Sequence, residues 1–303
     1  MKIVSLLKES TTMQFFKTIF LGAFLFLAQL SFAQGTLFKD SISSKTLGKT
    51  KVFNVYLPEG YNEDDTDYPV IYLLHGLGGD ENQWLEGGDM QAQVDQAIAD
   101  SIIPKTIFFL PDGEATYYIN NIKGTYEYEN FFFDEFMPFV ENKYHVKKEK
   151  QNRGIAGLSM GGYGTLVYRF HHPELFIAAS ALSPAVRTDE EMIELSDKEF
   201  AVRYETAYGK LPKDERISDF HNHNSPIYLA KQLSESEKDD VAMYIDCGDD
   251  DHLYKGNSTL HIVLRDLKIP HEYRVRNGGH TWDYWRTGLI PALIFITKNF
   301  DQN

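Results

Sequence analysis

The sequence predicts an α/β protein: a mostly parallel central sheet with helices on both faces, in one domain that carries a helical insertion. Three observations predict it. Beyond residue 34, strand-like apolar runs alternate with helix-like runs, the order that builds a parallel sheet covered on both sides. Two strand runs, "YPVIYLLHG" and "KTIFFLPDG", are continuously apolar, as strands buried on both faces are. No internal repeat or low-complexity linker divides the 303 residues, a length that one α/β unit can fill. Residues 34–303 are therefore expected to form a single domain, with 185–240 as a cap-like helical insertion.

The elements follow in order. "TKVFNVYLPEG" alternates Val52, Val55 and Leu57 with other residues and stops at Pro58 and Gly60, a strand and its turn. The run ending "LLHGLGGDENQW" is a buried strand closed by glycines. "MQAQVDQAIAD" is a helix, and "KTIFFLPDG" is a strand ending at Pro111-Asp112-Gly113. "YEYENFFFDEFMPFVENKYHV" has helical periodicity. "NRGIAGLS" is strand-like and "GGYGTLVYRFHHPELF" helical, followed by the strand "FIAASALSP". Residues 185–240 are charged and helical, without strand signals. "DVAMYIDCGDDD" is a strand, "NSTLHIVLRDLKI" a helix, "HEYRVRNGGH" a strand, and "TWDYWRTGLIPALIFITKNF" the closing helix.

Composition narrows the function. Apolar residues make up 43%, enough for a real core, and the net charge of −14 has no Lys/Arg block within it. That excludes a phosphate-binding surface, so no nucleic acid is expected, and it disfavours docking to an anionic membrane. The N-terminus carries Lys17, an apolar run from Ile19 to Ala28, and Ser31-Phe32-Ala33 before Gln34. This is the pattern of a secretory signal peptide, expected to be cleaved after Ala33. Ten apolar residues are too short to span a bilayer, which needs about 20, so no stable membrane anchor is expected. The tidy signal begins at Met13, which makes Met13 an alternative start to Met1. Loss of residues 1–33 removes three lysines and one glutamate, taking the mature charge from −14 to −16. Cys247 is the sole cysteine, so an exported chain must rely on packing rather than an internal disulfide.

Ser159 stands in Gly157-Leu158-Ser159-Met160-Gly161, a G-x-S-x-G pattern. A chain of this length meets that pattern by chance about one time in ten, so context decides. Here a strand precedes it and a helix follows, the setting of a nucleophile elbow. Glycines cost a helix about 1 kcal/mol each, and at an elbow they admit the sharp turn and close helix–strand packing. Serine is a weak nucleophile without a base, and in this arrangement an acid and then a histidine follow in chain order. Asp249, Asp250 and Asp251 follow the strand "VAMYIDCG", and His280 follows the last strand; all lie at carboxyl ends of strands, where open α/β sheets place their sites. The residues alone do not choose among the three aspartates. The oxyanion hole needs two main-chain N–H donors. Met160 would supply one, and Leu77, in the turn "HGLGGD", the other. His75 ends a buried strand and reads as structural. His221 and His223 form a His-x-His pair without a matching acid cluster, so no metal and no cofactor is expected.

Together, "YLLHGLGGDENQW", "LPDG", "GLSMGGYGTL", "CGDDDHL" and "GGHTWDYWR" resemble the esterase D-like family of the α/β-hydrolase fold. That family includes feruloyl and acetyl-xylan esterases (carbohydrate esterase family 1), S-formylglutathione hydrolases and mycolyltransferases. The resemblance covers residues from about 50 to 290, and "HGLGGDENQW" and "GGHTWDYW" look most like the feruloyl esterases. It implies a Ser159, Asp251 and His280 triad, with Asp251 chosen because the family's acid lies three residues after the glycine here at 248. It also implies a small-molecule or polysaccharide ester as substrate. Trp84 and Trp282, with Tyr117, Tyr118 and Trp285, lie near the site loops in sequence, and Trp84 and Trp282 are expected to bind substrate. An exported acyltransferase, a short-chain esterase and a non-catalytic carbohydrate- or lipid-binding protein on the same scaffold are the rival readings.

Overall fold

The computed structural model describes residues 34–61 and 66–301; the expected signal peptide, 1–33, lies outside the described residues. The strands are β1 (Thr36–Ser44), β2 (Lys49–Leu57), β3 (Val70–Leu74), β4 (Ile107–Pro111), β5 (Arg153–Leu158), β6 (Ala178–Leu182), β7 (Ala242–Gly248) and β8 (Glu272–Arg276). The main helices are α1 (Met90–Ala99), α2 (Met137–Lys143), α3 (Met160–His171), α4 (Asp189–Glu194), α5 (Asp197–Tyr208), α6 (Asp219–Asn224), α7 (Pro226–Gln232), α8 (Tyr254–Asp266) and α9 (Trp282–Thr297). The strands form one sheet in the order β1-β2-β4-β3-β5-β6-β7-β8. β1 and β2, and β2 and β4, pair antiparallel; every later pair is parallel. This is the expected α/β architecture, with one strand the sequence did not signal. β1, "TLFKDSISS", is an edge strand with little apolar alternation, and most of its residues are exposed or half-buried.

Successive side chains of a strand point to opposite faces. Val70, Tyr72 and Leu74 join one buried cluster with α3 residues Met160, Val167 and Tyr168. Ile71 and Leu73 join a second with Met90 and Val94 of α1 and Leu289 and Leu293 of α9. The unbroken apolar run of β3 thus serves two cores at once.

The helical stretch before β5 is not uniform. Residues Phe131–Phe136 form a π-helical turn ahead of α2. A wider turn brings residues five apart onto one face, and the Phe131 and Phe136 rings sit 6.0 Å apart in the core. Between β6 and β7 the insertion is helical as expected. Two capping boxes open its first helices: Thr188 with Glu191 at α4, and Ser196 with Glu199 at α5. Tyr204 of α5 stacks on Tyr117 at 4.8 Å, and the Tyr163 hydroxyl of α3 donates to the Asn224 carbonyl of α6 at 2.7 Å, tying the insertion to the body. Among the described residues no helix is long and apolar enough to cross a membrane.

The strand registers set the site. Leu74 pairs with Gly157, Leu158 with Leu182, Leu182 with Asp246, and Gly248 with Arg276. The carboxyl ends of β3, β5, β6, β7 and β8 therefore open toward one edge of the sheet.

Candidate active site

Ser159 occupies the turn from β5 into α3 at φ 52°, ψ −113°, a backbone region L-residues rarely adopt. Its main chain is held there on both sides. The Ser159 N–H donates to Leu182 O at 2.9 Å, and its carbonyl accepts from Tyr163 at 2.9 Å and Ala185 at 2.8 Å. The glycines have a steric reason. A Cβ on Gly157 would stand 2.4 Å from the Gly161 main chain, and one on Gly161 would stand 2.4 Å from Leu74 O. Only at such closeness can α3 leave β5 this sharply and present the Ser159 side chain half-exposed above the sheet.

His280 joins the serine to an acid. Its Nε2 lies 2.8 Å from Ser159 Oγ and its Nδ1 lies 2.8 Å from Asp251 Oδ2. Asp251 is buried, and its Oδ1 accepts from the Leu253 N–H at 2.8 Å. Burial pushes this carboxyl upward, but the bond from His280 and the Leu253 N–H outweigh it and hold Asp251 below the usual range. An ionised Asp251 accepts from Nδ1–H, which leaves Nε2 as an acceptor for the serine proton.

The three aspartates have different tasks. Asp249 accepts from the Gly278 N–H at 2.8 Å, and the Asp250 N–H donates to Gly278 O at 3.1 Å. Both are exposed and fasten the β7 turn to the loop carrying His280, while Asp251 turns inward to the ring.

The turn after β3 lies against Ser159: a Cβ on Gly76 would stand 3.5 Å from Ser159 Cβ. His75 braces this turn. Its Nδ1–H donates to Gly76 O and its Nε2 accepts from the Gly113 N–H, both at 2.8 Å, with the ring buried. Both nitrogens are used, which removes His75 as a base. The Gly76 N–H is taken by Gln83 Oε1 and the His75 N–H by Tyr118. The Leu77 N–H has no protein acceptor among the described residues. Met160 is the first residue of α3, so its N–H has no intrahelical acceptor either.

Trp84 corrects an expectation. It is only 1% exposed, its Nε1–H donates to Leu74 O at 2.9 Å, and it packs edge-on against Trp282 at 5.7 Å. It supports the β3 turn from beneath and does not reach a substrate groove. Tyr117 and Tyr118 are likewise buried. Trp282 is half-buried and meets Trp285 edge-on at 5.4 Å, and Trp285 meets the His280 ring at 4.7 Å. The two tryptophans therefore back the histidine.

Two neighbours escaped the sequence reading. The His252 ring packs edge-on against His280 at 4.7 Å, with Nδ1 3.6 Å from Asp251 Oδ1. Burial, the His280 ring, and the charges of Arg187 and Arg203 keep His252 below the ordinary histidine range despite Asp251. Asp246 of β7 is fully buried, bonded by Arg276 at 3.0 Å; burial pushes it up to about 6 against that bond. His252 directly follows Asp251, and the turn after β7 sets its ring against His280, whereas the sheet register places Asp246 beside Leu182.

Comparison with known proteins identifies the family. Residues 44–296 match the Esterase family model, described as "Putative esterase". An acetyl esterase of Caldicellulosiruptor saccharolyticus is 28% identical over 78% of this chain and 86% of its own length. An endo-1,4-beta-xylanase/feruloyl esterase of Xylanibacter ruminicola is 33% identical over 52% of this chain, a match that spans 23% of that longer protein. A solved ferulic acid esterase superposes with a TM-score of 0.76 at 30% identity, covering 88% of this chain and 99% of that one.

Proposed function

The chain belongs to the Esterase family and is a serine ester hydrolase of the α/β-hydrolase fold, and from that premise we propose that it is an exported carboxylesterase removing feruloyl or acetyl groups from plant polysaccharide. The observation that carries the reading is the unbroken chain Asp251–His280–Ser159, two hydrogen bonds of 2.8 Å ending on a serine at positive φ.

The mechanism follows from these atoms. His280 Nε2 takes the Ser159 proton as Oγ attacks the ester carbonyl, and Asp251 stabilises the imidazolium. The Leu77 and Met160 N–H groups receive the oxyanion. Collapse expels the alcohol, protonated by His280, and leaves Ser159 acylated. Water, deprotonated by the same nitrogen, attacks the acyl-enzyme; the acid departs and Ser159 regains its proton. No cofactor enters. Export rests on the N-terminal pattern ending at Ala33, and N-terminal sequencing of the mature protein tests it.

A ferulic acid esterase among the neighbours supports a phenolic acyl group, and the acetyl esterase relative supports a short one. Hydrolysis of methyl ferulate and p-nitrophenyl acetate by the wild type and by Ser159→Ala tests the reading. Turnover of both esters, abolished in the variant, supports it, and the ratio of the two kcat/KM values ranks the acyl groups. Turnover that survives Ser159→Ala removes it.

A further inference from the structure

Asp251, His252 and His280 each aim one ligand atom into a common space, with all three atoms within 4.8 Å of one another. We propose that they form an inhibitory site for a divalent transition-metal ion such as Zn²⁺, which disables the enzyme by taking its catalytic base out of the triad. The inhibitory consequence rests on the catalytic reading given above; the binding itself does not.

The donor set is the first argument. Two imidazoles and one carboxylate suit zinc, with a fourth position left to water. The spacing is the second. A tetrahedral ion with bonds of about 2.0–2.1 Å holds its ligand atoms about 3.3 Å apart. Asp251 Oδ2 and His280 Nδ1 stand at 2.8 Å and must open slightly, and the His252 ring nitrogen, in a set whose three ligand atoms all lie within 4.8 Å of one another, must close on them. A rotation of the half-exposed His252 side chain closes the gap. Accessibility is the third: the His252 side chain is about half exposed, so an ion meets it first and is passed inward to Asp251.

The local charge allows it. Arg187 and Arg203 act on His252 and oppose a cation, Asp251 favours one, and Asp249 and Asp250 stand exposed on the same turn. A net charge of −14 adds an attractive long-range field.

On binding, a metal–Nδ1 bond replaces the His280 Nδ1–H bond: Nδ1 gives its proton to solvent and Nε2 takes one up, so the ring stays neutral with its one hydrogen now on Nε2. The Asp251 carboxylate turns its charge to the ion. Nε2 then has no lone pair for the Ser159 proton, so acylation stops. Removal of the ion by a chelator restores the proton and the enzyme.

His252 has no part in the catalytic steps, so His252→Gln separates inhibition from activity. Esterase activity is titrated with ZnCl₂ in wild type, in His252→Gln and in His261→Gln. The last removes a ring from the unrelated His261–His271 pair, whose nitrogens are 2.8 Å apart. We expect reversible inhibition in wild type and His261→Gln, and an inhibitory concentration about 10-fold or more higher in His252→Gln. Equal sensitivity of wild type and His252→Gln, relief by His261→Gln instead, or no inhibition by millimolar zinc each overturns the proposal. Binding is followed independently by the visible absorption of Co²⁺ added to Ser159→Ala. The band of a four-coordinate site, lost in Ser159→Ala/His252→Gln, is the expected result, and its absence overturns the site even if the catalytic reading stands. Conversely, an intact Co²⁺ band beside an esterase activity indifferent to Ser159→Ala would sink the catalytic reading alone.

Discussion

His171 donates from Nδ1 to Glu129 at 2.7 Å and from Nε2 to the His223 carbonyl at 2.8 Å, so both ring nitrogens carry hydrogens and the ring is an imidazolium. This joins the C-terminal end of α3, whose first turn sets Ser159, to α6 of the helical insertion. Burial alone would push His171 down from 6.5; the Glu129 bond and then the His223 carbonyl raise it above that value. Glu129 is pushed up by burial but drawn down to about 2 by His171 and His172.

The pH dependence has a definite sign. A histidine raised on folding contributes its full stabilisation below its unfolded value of 6.5 and loses it as pH rises through the higher folded value. Glu129 contributes fully above 4.5 and loses its share as pH falls toward 2. The latch is thus strongest between pH 4.5 and 6.5. Thermal melts at pH 6 and pH 9 should show wild type well above His171→Gln at pH 6 and much closer to it at pH 9. A gap that ignores pH would mean that His171 is held neutral.

Asp251 is expected to act through the His280 tautomer. Asp251→Asn keeps the shape of the turn but offers an amide where Nδ1–H needs an acceptor. The Leu253 N–H can still be satisfied by the amide oxygen, so the fold should survive. Loss of kcat by a factor on the order of 10³–10⁴, with a melting temperature near wild type, is expected by analogy with serine proteases. Asp249→Asn removes a charge that serves only the Gly278 N–H, and kcat should fall less than about 10-fold. Steady-state kinetics on both variants checks the pair; the reverse ranking would move the acid role to Asp249.

The Ser159 and His280 positions were legible because each depends on a short local pattern: a glycine-flanked serine between strand and helix, and a histidine just past a last strand. The choice among the aspartates was not. It depends on how the β7 turn wraps the histidine loop, so tightly that a Cβ on Gly248 would fall 2.0 Å from Gly278 O. The resemblance pointed to Asp251, whereas spacing left all three open. Trp84 was misread for a related reason. Nearness to the site in sequence says nothing of direction, and the single helical turn Gln83–Glu86 aims this ring into the core. β1 was missed because an exposed edge strand need not alternate. His252 became visible only once its ring was seen against His280.

The close approach at Gly161 predicts a sharp steric penalty. Its added Cβ would meet Leu74 O at 2.4 Å and His75 O at 2.6 Å, both main-chain atoms that cannot rotate away. Gly161→Ala must push α3 off β3, and overpacking of this kind costs about 1–3 kcal/mol. Because Met160 and Ser159 move with the helix, kcat should fall in the molecules that still fold. Chemical denaturation and kinetics on the soluble fraction check this, and a variant with wild-type stability would show that the elbow has slack.

Arg153 and Glu141 form a buried two-point ion pair, Nε to Oε1 at 2.7 Å and Nη2 to Oε2 at 3.0 Å. The Tyr72 hydroxyl of β3 donates to the same carboxylate at 2.9 Å, so the pair fastens α2 to the middle of β3 and the entry end of β5. Removing one member strands the other. Arg153→Met leaves Glu141 charged and buried and should cost about 3–5 kcal/mol. Arg153→Met/Glu141→Leu removes both charges but leaves the Tyr72 hydroxyl without its acceptor, at about 1–3 kcal/mol, and takes the guanidinium from the part-buried Leu175 and Lys148 carbonyls. Adding Tyr72→Phe removes the hydroxyl, and the triple variant should regain part of the lost stability, short of wild type by what the Leu175 and Lys148 carbonyls lose. These residues lie at the opposite end of β5 from Ser159, so kcat of the folded fraction should be preserved throughout. Urea denaturation of the three variants checks the order, single below double below triple. A single variant as stable as the triple would mean that Glu141 finds another partner or takes up a proton.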